Sequence, residues 1–408
     1  MKRLSLAVLP LALLAAPALA EPGLPDEAMV ASALDDHPTV LAAKARLEAA
    51  RAEAQGLRRG PHEITFSASY VHRSIDREGR YDEYDAQLTR AFRLPGKARL
   101  DREIGEFGVE AAENMAEDAR HQAALLLAGH WYDWLSASAE SRVDRAAVEN
   151  YEKALAALRR QAQLREAAPL DVDRTAAALG AARIAAEQSA GRAALARSRL
   201  AAHFPGLPLP EEAPEVPLPS VEASELEKLH DLVPANSHEI AAAEAEAQRA
   251  ASLAERARKD RIADPSFGAR LFSERSGEER GAGLLFSIPL GGGHRKALAD
   301  KAGADAMAAT AEATLARFTV RETADADLAE ARYRLAAWQR SREALDAQMA
   351  ALLKLREGHR LGEIDLSDLL LGERTVHDAF RGEAAARADA MRAVTKLRID
   401  SHELWLAD

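Results

Sequence analysis

The 408-residue sequence contains no cysteine. That absence excludes a disulfide scaffold, a thiolate zinc site and a thiol nucleophile together. Aromatic residues are scarce at 5%, although 48% of residues are apolar. Alanine and leucine therefore carry most of the apolar fraction, which suits long helices packed at close range. Basic residues are outnumbered, 54 Lys and Arg against 65 Asp and Glu, for a formal net charge of −11. A net acidic chain matches a phosphate backbone poorly, so nucleic acid is not an expected partner. No segment beyond the N-terminus reaches the ~20 apolar residues of a membrane helix. The motifs G-x-S-x-G, H-E-x-x-H and G-x-x-x-x-G-K-[ST] are missing, which leaves no catalytic constellation. Gly281-Ala282-Gly283 lacks the third glycine and the following helix of a dinucleotide site. The twelve histidines are scattered without a pair at helical ligand spacing, so neither a metal nor a cofactor is expected.

The N-terminus reads as an export signal over residues 1–20. Lys2 and Arg3 are the charged start, Leu4 to Leu14 the apolar run, and Ala18-Leu19-Ala20 the small-x-small cleavage site before Glu21. No cysteine follows it, so a lipidated N-terminus is not expected. An exported chain without a membrane helix either stays soluble or inserts as a β-barrel.

Proline is also missing from about residue 97 to 168, and again from 290 to the C-terminus. In the first of these stretches Ile104, Phe107, Ala111, Met115, Ala119, Ala123, Leu127, Trp131 and Trp134 recur three or four apart. That spacing predicts one amphipathic helix on the order of 100 Å long. In the second, Leu328, Leu335, Trp338, Leu345, Met349 and Leu352 keep a near-heptad spacing suited to coiled-coil packing. Shorter helices are expected over about 26–59, 170–204, 226–263 and 364–405. Helices this long cannot bury their apolar stripes within a compact monomer.

The sequence also repeats itself. Phe92-Arg93-Leu94-Pro95 matches Phe286-Ser287-Ile288-Pro289, and Leu170-Asp171-Val172 matches Ile364-Asp365-Leu366 at the same offset. The expected organisation is a first repeat over 21–204, a connector over 205–225 and a second repeat over 226–408. Each repeat reads helix, strand pair, long helix, helix. Six prolines between Pro205 and Pro219 make the connector stiff and extended.

The strand pairs are expected at 62–74 with 83–93, and at 265–275 with 280–289. Within them Phe66, Tyr70, Tyr84, Leu88, Phe267, Leu271, Leu284 and Phe286 alternate with small or polar residues. That period of two fits a barrel wall with lipid outside and water within, and makes these eight side chains the expected lipid contacts. The stretches Asp76 to Asp82 and Ser276 to Arg280 are charged, contain glycine and read as exposed hairpin loops. Four strands cannot close a barrel, whose practical minimum is about eight. Open edges are not tolerated in lipid, so several identical chains must each contribute four strands. Two chains would give a filled interior; three would give twelve strands and an aqueous lumen.

On these features the chain resembles the TolC-like outer-membrane efflux proteins of Gram-negative bacteria over its full mature length. The residues that carry the resemblance are the strand-to-helix junctions Phe92 to Gly96 and Phe286 to Gly291. They also include the turn Gly362-Glu363-Ile364-Asp365-Leu366, followed by Leu369, Leu370 and Leu371. The resemblance implies a mainly α protein with membrane β structure. Long antiparallel helices would form a helical barrel across the periplasm, and four strands per chain would join a trimeric, twelve-stranded β-barrel in outer-membrane lipid. It also implies a homotrimer that docks a periplasmic adaptor protein and an inner-membrane pump, and exports drugs, metal ions or proteins.

The expected docking turns are Ala167-Ala168-Pro169-Leu170-Asp171 and Gly362 to Leu366. The first lacks the glycine that Gly362 supplies in the second; Pro169 is its expected punctuation. Asp171, Asp173, Asp365 and Asp368 lie where helices restart. Such acids are stabilised by the helix dipole, and in a threefold ring they would also concentrate negative potential at a pore end. The alternative from another class is a soluble periplasmic coiled-coil adaptor or scaffold.

Overall fold

The computed structural model describes residues 22–406, and the expected export signal lies outside these residues. Helices α1 (Glu27–Asp35) and α2 (Pro38–Arg59) lead into strands β1 (Ile64–Ile75) and β2 (Gly79–Ala91). The long helix α3 (Lys97–Gln163) and α4 (Pro169–His203) complete the first half. After the proline-rich connector come α5 (Ala223–Asn236), α6 (His238–Lys259), β3 (Ser266–Glu274) and β4 (Glu279–Ser287), then α7 (Gly293–Arg360) and α8 (Leu366–Asp400).

The 67 residues of α3 and 68 of α7 each span ~100 Å at 1.5 Å per residue. Along α3, α2 packs on the sheet-proximal part and α4 on the remainder; α6 and α8 divide α7 in the same way. Close approach between α2 and α3 depends on missing side-chain volume. A Cβ on Gly105 would lie 2.9 Å from the Cα of Ala54.

Two of the expected helices are each broken in two. The stretch 26–59 divides at Pro38, which begins α2 and disfavours helical geometry at His37. The stretch 226–263 divides at Ser237, whose hydroxyl accepts the Ile240 N–H at 3.3 Å and starts α6. Within 205–225 the final residues already belong to α5. The connector is not a free strut, because Leu207 and Val216 are buried in the principal core. That core gathers Val30 and Leu34 of α1, Leu127, Trp131 and Leu135 of α3, Phe204, Ile399 and Trp405. It sits at mid-length, where the Trp131 indole N–H donates to the Gly23 carbonyl at 2.8 Å. Met115 and Met349, expected on apolar stripes, are exposed.

The four strands form one antiparallel sheet in the order β1-β2-β3-β4. β2 and β3 join the two halves of the chain, and β1 and β4 are open edges among the described residues. The first hairpin loop is shorter than the sequence suggests. Charged residues read as loop belong to the ladder, with Arg80 opposite Ser74 and Asp82 opposite His72. Tyr70 donates to Asp82 at 2.8 Å, and Arg73 pairs with Glu83 at 2.8 Å, so cross-strand polar pairing extends both strands. In the second hairpin β4 likewise begins at Glu279, after a 3₁₀ turn over Arg275–Gly277. The strands end at Ala91 and Ser287, two residues short of the expected 93 and 289.

Candidate functional site: an apolar sheet face and a pair of helical turns

Cross-strand register decides which side chains share a face. Phe66 lies opposite Leu88, Tyr70 opposite Tyr84, Phe267 opposite Phe286, and Leu271 opposite Ala282. Leu88 in turn faces Ala269, and Ala269 faces Leu284. All eight residues expected to meet lipid therefore point from one face. Each is at least half exposed, and Leu284 reaches 92%. The opposite face carries Ser67, Ser69, Asp85, Gln87, Arg270 and Gly283, with Arg270 ion-paired to Asp85. One face is thus mainly apolar, with His72, Asp82 and Arg90 towards its ends, and has no covering layer among the described residues; the other is mainly polar, with Val71, Phe272 and Leu285 as its apolar members.

Between sheet and helices lies a buried ionic junction that the sequence reading missed. Lys97, 1% exposed at the start of α3, donates to Asp264 at 2.7 Å and to the Ile262 carbonyl at 2.8 Å. It also pairs with Asp260 at 2.8 Å. Asp264 further accepts the Leu94 N–H at 3.0 Å and lies 2.8 Å from His62. Although burial opposes its charge, these partners hold the Asp264 carboxyl down at about 2. One turn along α3, Asp101 is gripped by Arg93 at 2.7 Å and Arg256 at 2.6 Å. The junction ties the passage from β2 into α3 in the first half to the end of α6 and the approach to β3 in the second.

At the far end of α3 and α7 stand the two turns. Arg165, φ 63°, and Gly362, φ 77°, both adopt the left-handed conformation just past their helices. The hydrogen bonds are also the same. Glu166 N–H reaches the Gln161 carbonyl at 2.8 Å, and Glu363 N–H the Gly358 carbonyl at 2.9 Å. Arg165 N–H reaches Ala162 and Gly362 N–H reaches His359, each at 3.0 Å. Both are Schellman closures. In the first turn, then, the role of the missing glycine falls to Arg165, while Pro169 occupies the first position of α4 after Ala168.

These closures shift the repeat alignment. Ala168 and Asp365 precede their helices, and Asp171 and Asp368 each occupy the third helical position. Asp171 thus corresponds to Asp368 rather than to Asp365, as the sequence match had suggested. Asp365 accepts the Asp368 N–H at 3.0 Å, and this bond holds its carboxyl below the usual range, with Arg174 across the gap adding to the effect. Asp171 is half-buried, with Arg174 at 4.0 Å, whereas Asp173 and Asp368 are exposed. Leu170 is exposed, Ala167 and Ile364 are half-buried, and the Ile364 carbonyl lies 2.9 Å from His359. Tyr151, Leu155, Leu179, Val172 and Leu370 pack together, bringing both turns to the same end of the molecule.

A second buried relay lies at mid-length. Asp400 of α8 is 2.8 Å from His121 of α3 and 3.1 Å from Lys396, which also pairs with Asp327 of α7. Burial, then the neighbouring Asp400, pushes the Asp327 carboxyl up to about 7. Asp400, stabilised by His121 and Lys396 despite burial, falls to about 2. Asp327 therefore keeps its proton well above the pH at which Asp400 has lost its own. Among the described residues no group of histidine and carboxylate side chains could hold a metal ion.

No protein-family model and no curated protein matches the sequence. Solved structures do match. The outer membrane protein VceC of Vibrio cholerae superposes with a TM-score of 0.75 at 17% identity, covering 92% of this chain and 95% of its own. The outer-membrane channel OprN gives 0.69 at 21% identity, over 93% and 90%. The CmeC outer membrane channel of Campylobacter jejuni gives 0.70 at 13% identity, over 93% and 86%. Over nearly its whole described length, the chain has the fold of these outer-membrane channel proteins.

Proposed function

We propose that the protein is the outer-membrane exit duct of a tripartite efflux or secretion system, passive in itself and extending into the periplasm. The observation that carries this reading is the sheet: eight large apolar side chains on one face, polar residues on the other, and two open edges. In water such a face exposes several hundred Å² of apolar surface, and its edges invite aggregation. In lipid the face is solvated, and the edges close when copies join edge to edge. Three copies supply twelve strands and a water-filled interior.

The helices support the same assembly. Leu298, Met307, Leu315 and Phe318 of α7, and Ile184 and Leu195 of α4, are exposed. In a homotrimer each of these faces would meet a neighbouring copy, the α7 residues near the sheet and the α4 residues nearer the turns. The paired turns at the opposite end present small residues and acids to a periplasmic adaptor and, through it, an inner-membrane pump. Energy and cargo choice then belong to those partners. The solved neighbours are channel proteins rather than enzymes, which fits a conduit.

The soluble coiled-coil scaffold is disfavoured by the uncovered sheet face. Membrane fractionation with an unboiled gel separates the two readings. A heat-modifiable oligomer in the outer-membrane fraction supports the duct, and a freely soluble monomer removes it.

A further inference from the structure

A cleft of about 650 Å³ opens between α3, α7 and α8 where the connector crosses them. Its volume lies in the range of small-molecule sites. Tyr151, Met349, Leu352, Leu353, Val376 and Phe380 line one stretch of it. At that end the charges are already matched, since Arg356 holds Glu373 through two nitrogens at 3.0 and 3.2 Å.

The other end is different. Arg142 and Arg387 both line it, and the Arg387 guanidinium lies close enough to disfavour the charge on Arg142. Burial first, then Arg145 and Arg387, push the Arg142 guanidinium below its ordinary value, against Glu215 and Glu212 of the connector. Among the described residues Arg142 donates one hydrogen bond, to the Ala213 carbonyl at 3.2 Å. Arg387 pairs with Glu383 at 3.4 Å, but that carboxylate also accepts the Trp338 indole N–H at 2.9 Å. The Arg387 Nε is buried with no hydrogen-bond acceptor among the described residues. Two guanidinium groups thus share too few acceptors at the mouth of an apolar slot.

We infer that this cleft binds an amphipathic organic anion, its carboxylate or sulfonate on Arg142 and Arg387 and its hydrocarbon part along Leu352, Val376 and Phe380. The planar guanidinium fork suits a two-oxygen acid group, and the apolar walls suit a chain or ring of moderate size. A bound molecule would touch α3 of the first half and α7 and α8 of the second at once. The site does not depend on any export role.

Equilibrium dialysis of labelled decanoate against the full-length protein in nanodiscs, with empty nanodiscs as blank, tests the inference. Decyltrimethylammonium and decanol serve as the cationic and neutral probes. Saturable uptake of one decanoate per chain is expected, with both comparison probes at least about tenfold weaker. Arg387→Gln and Arg142→Gln should each weaken decanoate by about tenfold, the cost of one charge-assisted contact. Ala146→Phe, which fills the cleft without altering charge, should abolish saturation, and Arg387→Lys, which keeps the charge but loses the planar fork, should bind between the wild type and Arg387→Gln. Uptake equal to the blank, equal affinity for the cationic probe, or undiminished binding in Arg387→Gln or Ala146→Phe overturns the inference. Melting curves identify any variant that fails to fold, and the charge series on the wild-type protein decides the matter without variants.

Discussion

Arg165 holds the same left-handed backbone, and makes the same closing hydrogen bonds, as Gly362 at the matching turn of the other half. A Cβ makes this conformation costly by about 1 kcal/mol, so the two turns are not equally relaxed. Arg165→Gly should stabilise the helical hairpin by about 1 kcal/mol, and Gly362→Ala should destabilise it by a similar amount. Chemical denaturation midpoints of the two variants check this; shifts of the same sign would contradict the shared geometry.

Asp327 gives a pH dependence of definite sign. Its folded value near 7 lies above the ~4 of an unfolded aspartate, so the folded chain holds an extra proton between those values. The stability it contributes is complete below about pH 4 and is lost as pH rises through 7. Asp327→Asn keeps a neutral polar side chain and should remove that loss. Between pH 4.5 and 6.5 the wild-type denaturation midpoint should fall more steeply than that of the variant. Parallel curves would show that the proton is not there.

His121 extends the trend to higher pH. Burial works against its charge, but hydrogen bonds to Asp118 and Asp400 lift it to about 9. The stability it contributes is present below about 6.5 and lost as pH rises towards 9. His121→Gln should flatten the alkaline limb of the stability curve, and the acid limb should move too, because Asp400 loses one of the partners that hold its carboxyl down.

The ionic junction should be sensitive to loss of one partner. Asp264→Asn leaves the buried Lys97 with Asp260 as its remaining charge partner, at a cost of ~3 kcal/mol. The same carboxyl titrates downwards, so its contribution is present above about pH 4 and disappears as pH falls towards 2. A thermal midpoint of Asp264→Asn equal to wild type would show that the network does not hold strand to helix.

The two sheet faces should respond oppositely to charge. Leu284→Arg places a cation on the apolar face, at a cost of ~2–4 kcal/mol at mid-bilayer. Ser69→Arg places one on the polar face, opposite Asp85. The first should block assembly in the membrane and the second should be tolerated, as read from the heat-modifiable band. Equal tolerance would remove the assignment of lipid to the apolar face.

If the acids at the turns ring a constricted pore end, neutralising Asp365 and Asp368 together should raise single-channel conductance and weaken cation preference. If Asp365 acts only as a helix cap, Asp365→Ala costs about 1 kcal/mol of local stability and leaves conductance unchanged. Recordings in a planar bilayer separate the two roles.

The sequence made the helices and the sheet faces legible because both follow strict periodicities. Phe66, Leu88 and Leu284 share a face, as a period of two requires, and the two long helices α3 and α7 each run unbroken within a proline-free stretch. Boundaries were less visible where charged side chains do unexpected work. Arg80 and Asp82 looked like loop residues, yet they pair across strands. Arg165 could not be foreseen in a left-handed position that normally takes glycine. The buried relays were hidden because their partners lie far apart in the chain, as Lys97 and Asp264 do. A signal existed in the spacing of Lys396 and Asp400, one helical turn apart within an apolar stripe.

The most direct test of the account is the number of chains in the particle. Native mass spectrometry of the mature protein, released from detergent, should show three identical chains and no stable single chain. A folded, monodisperse monomer that persists in detergent-free buffer would contradict it.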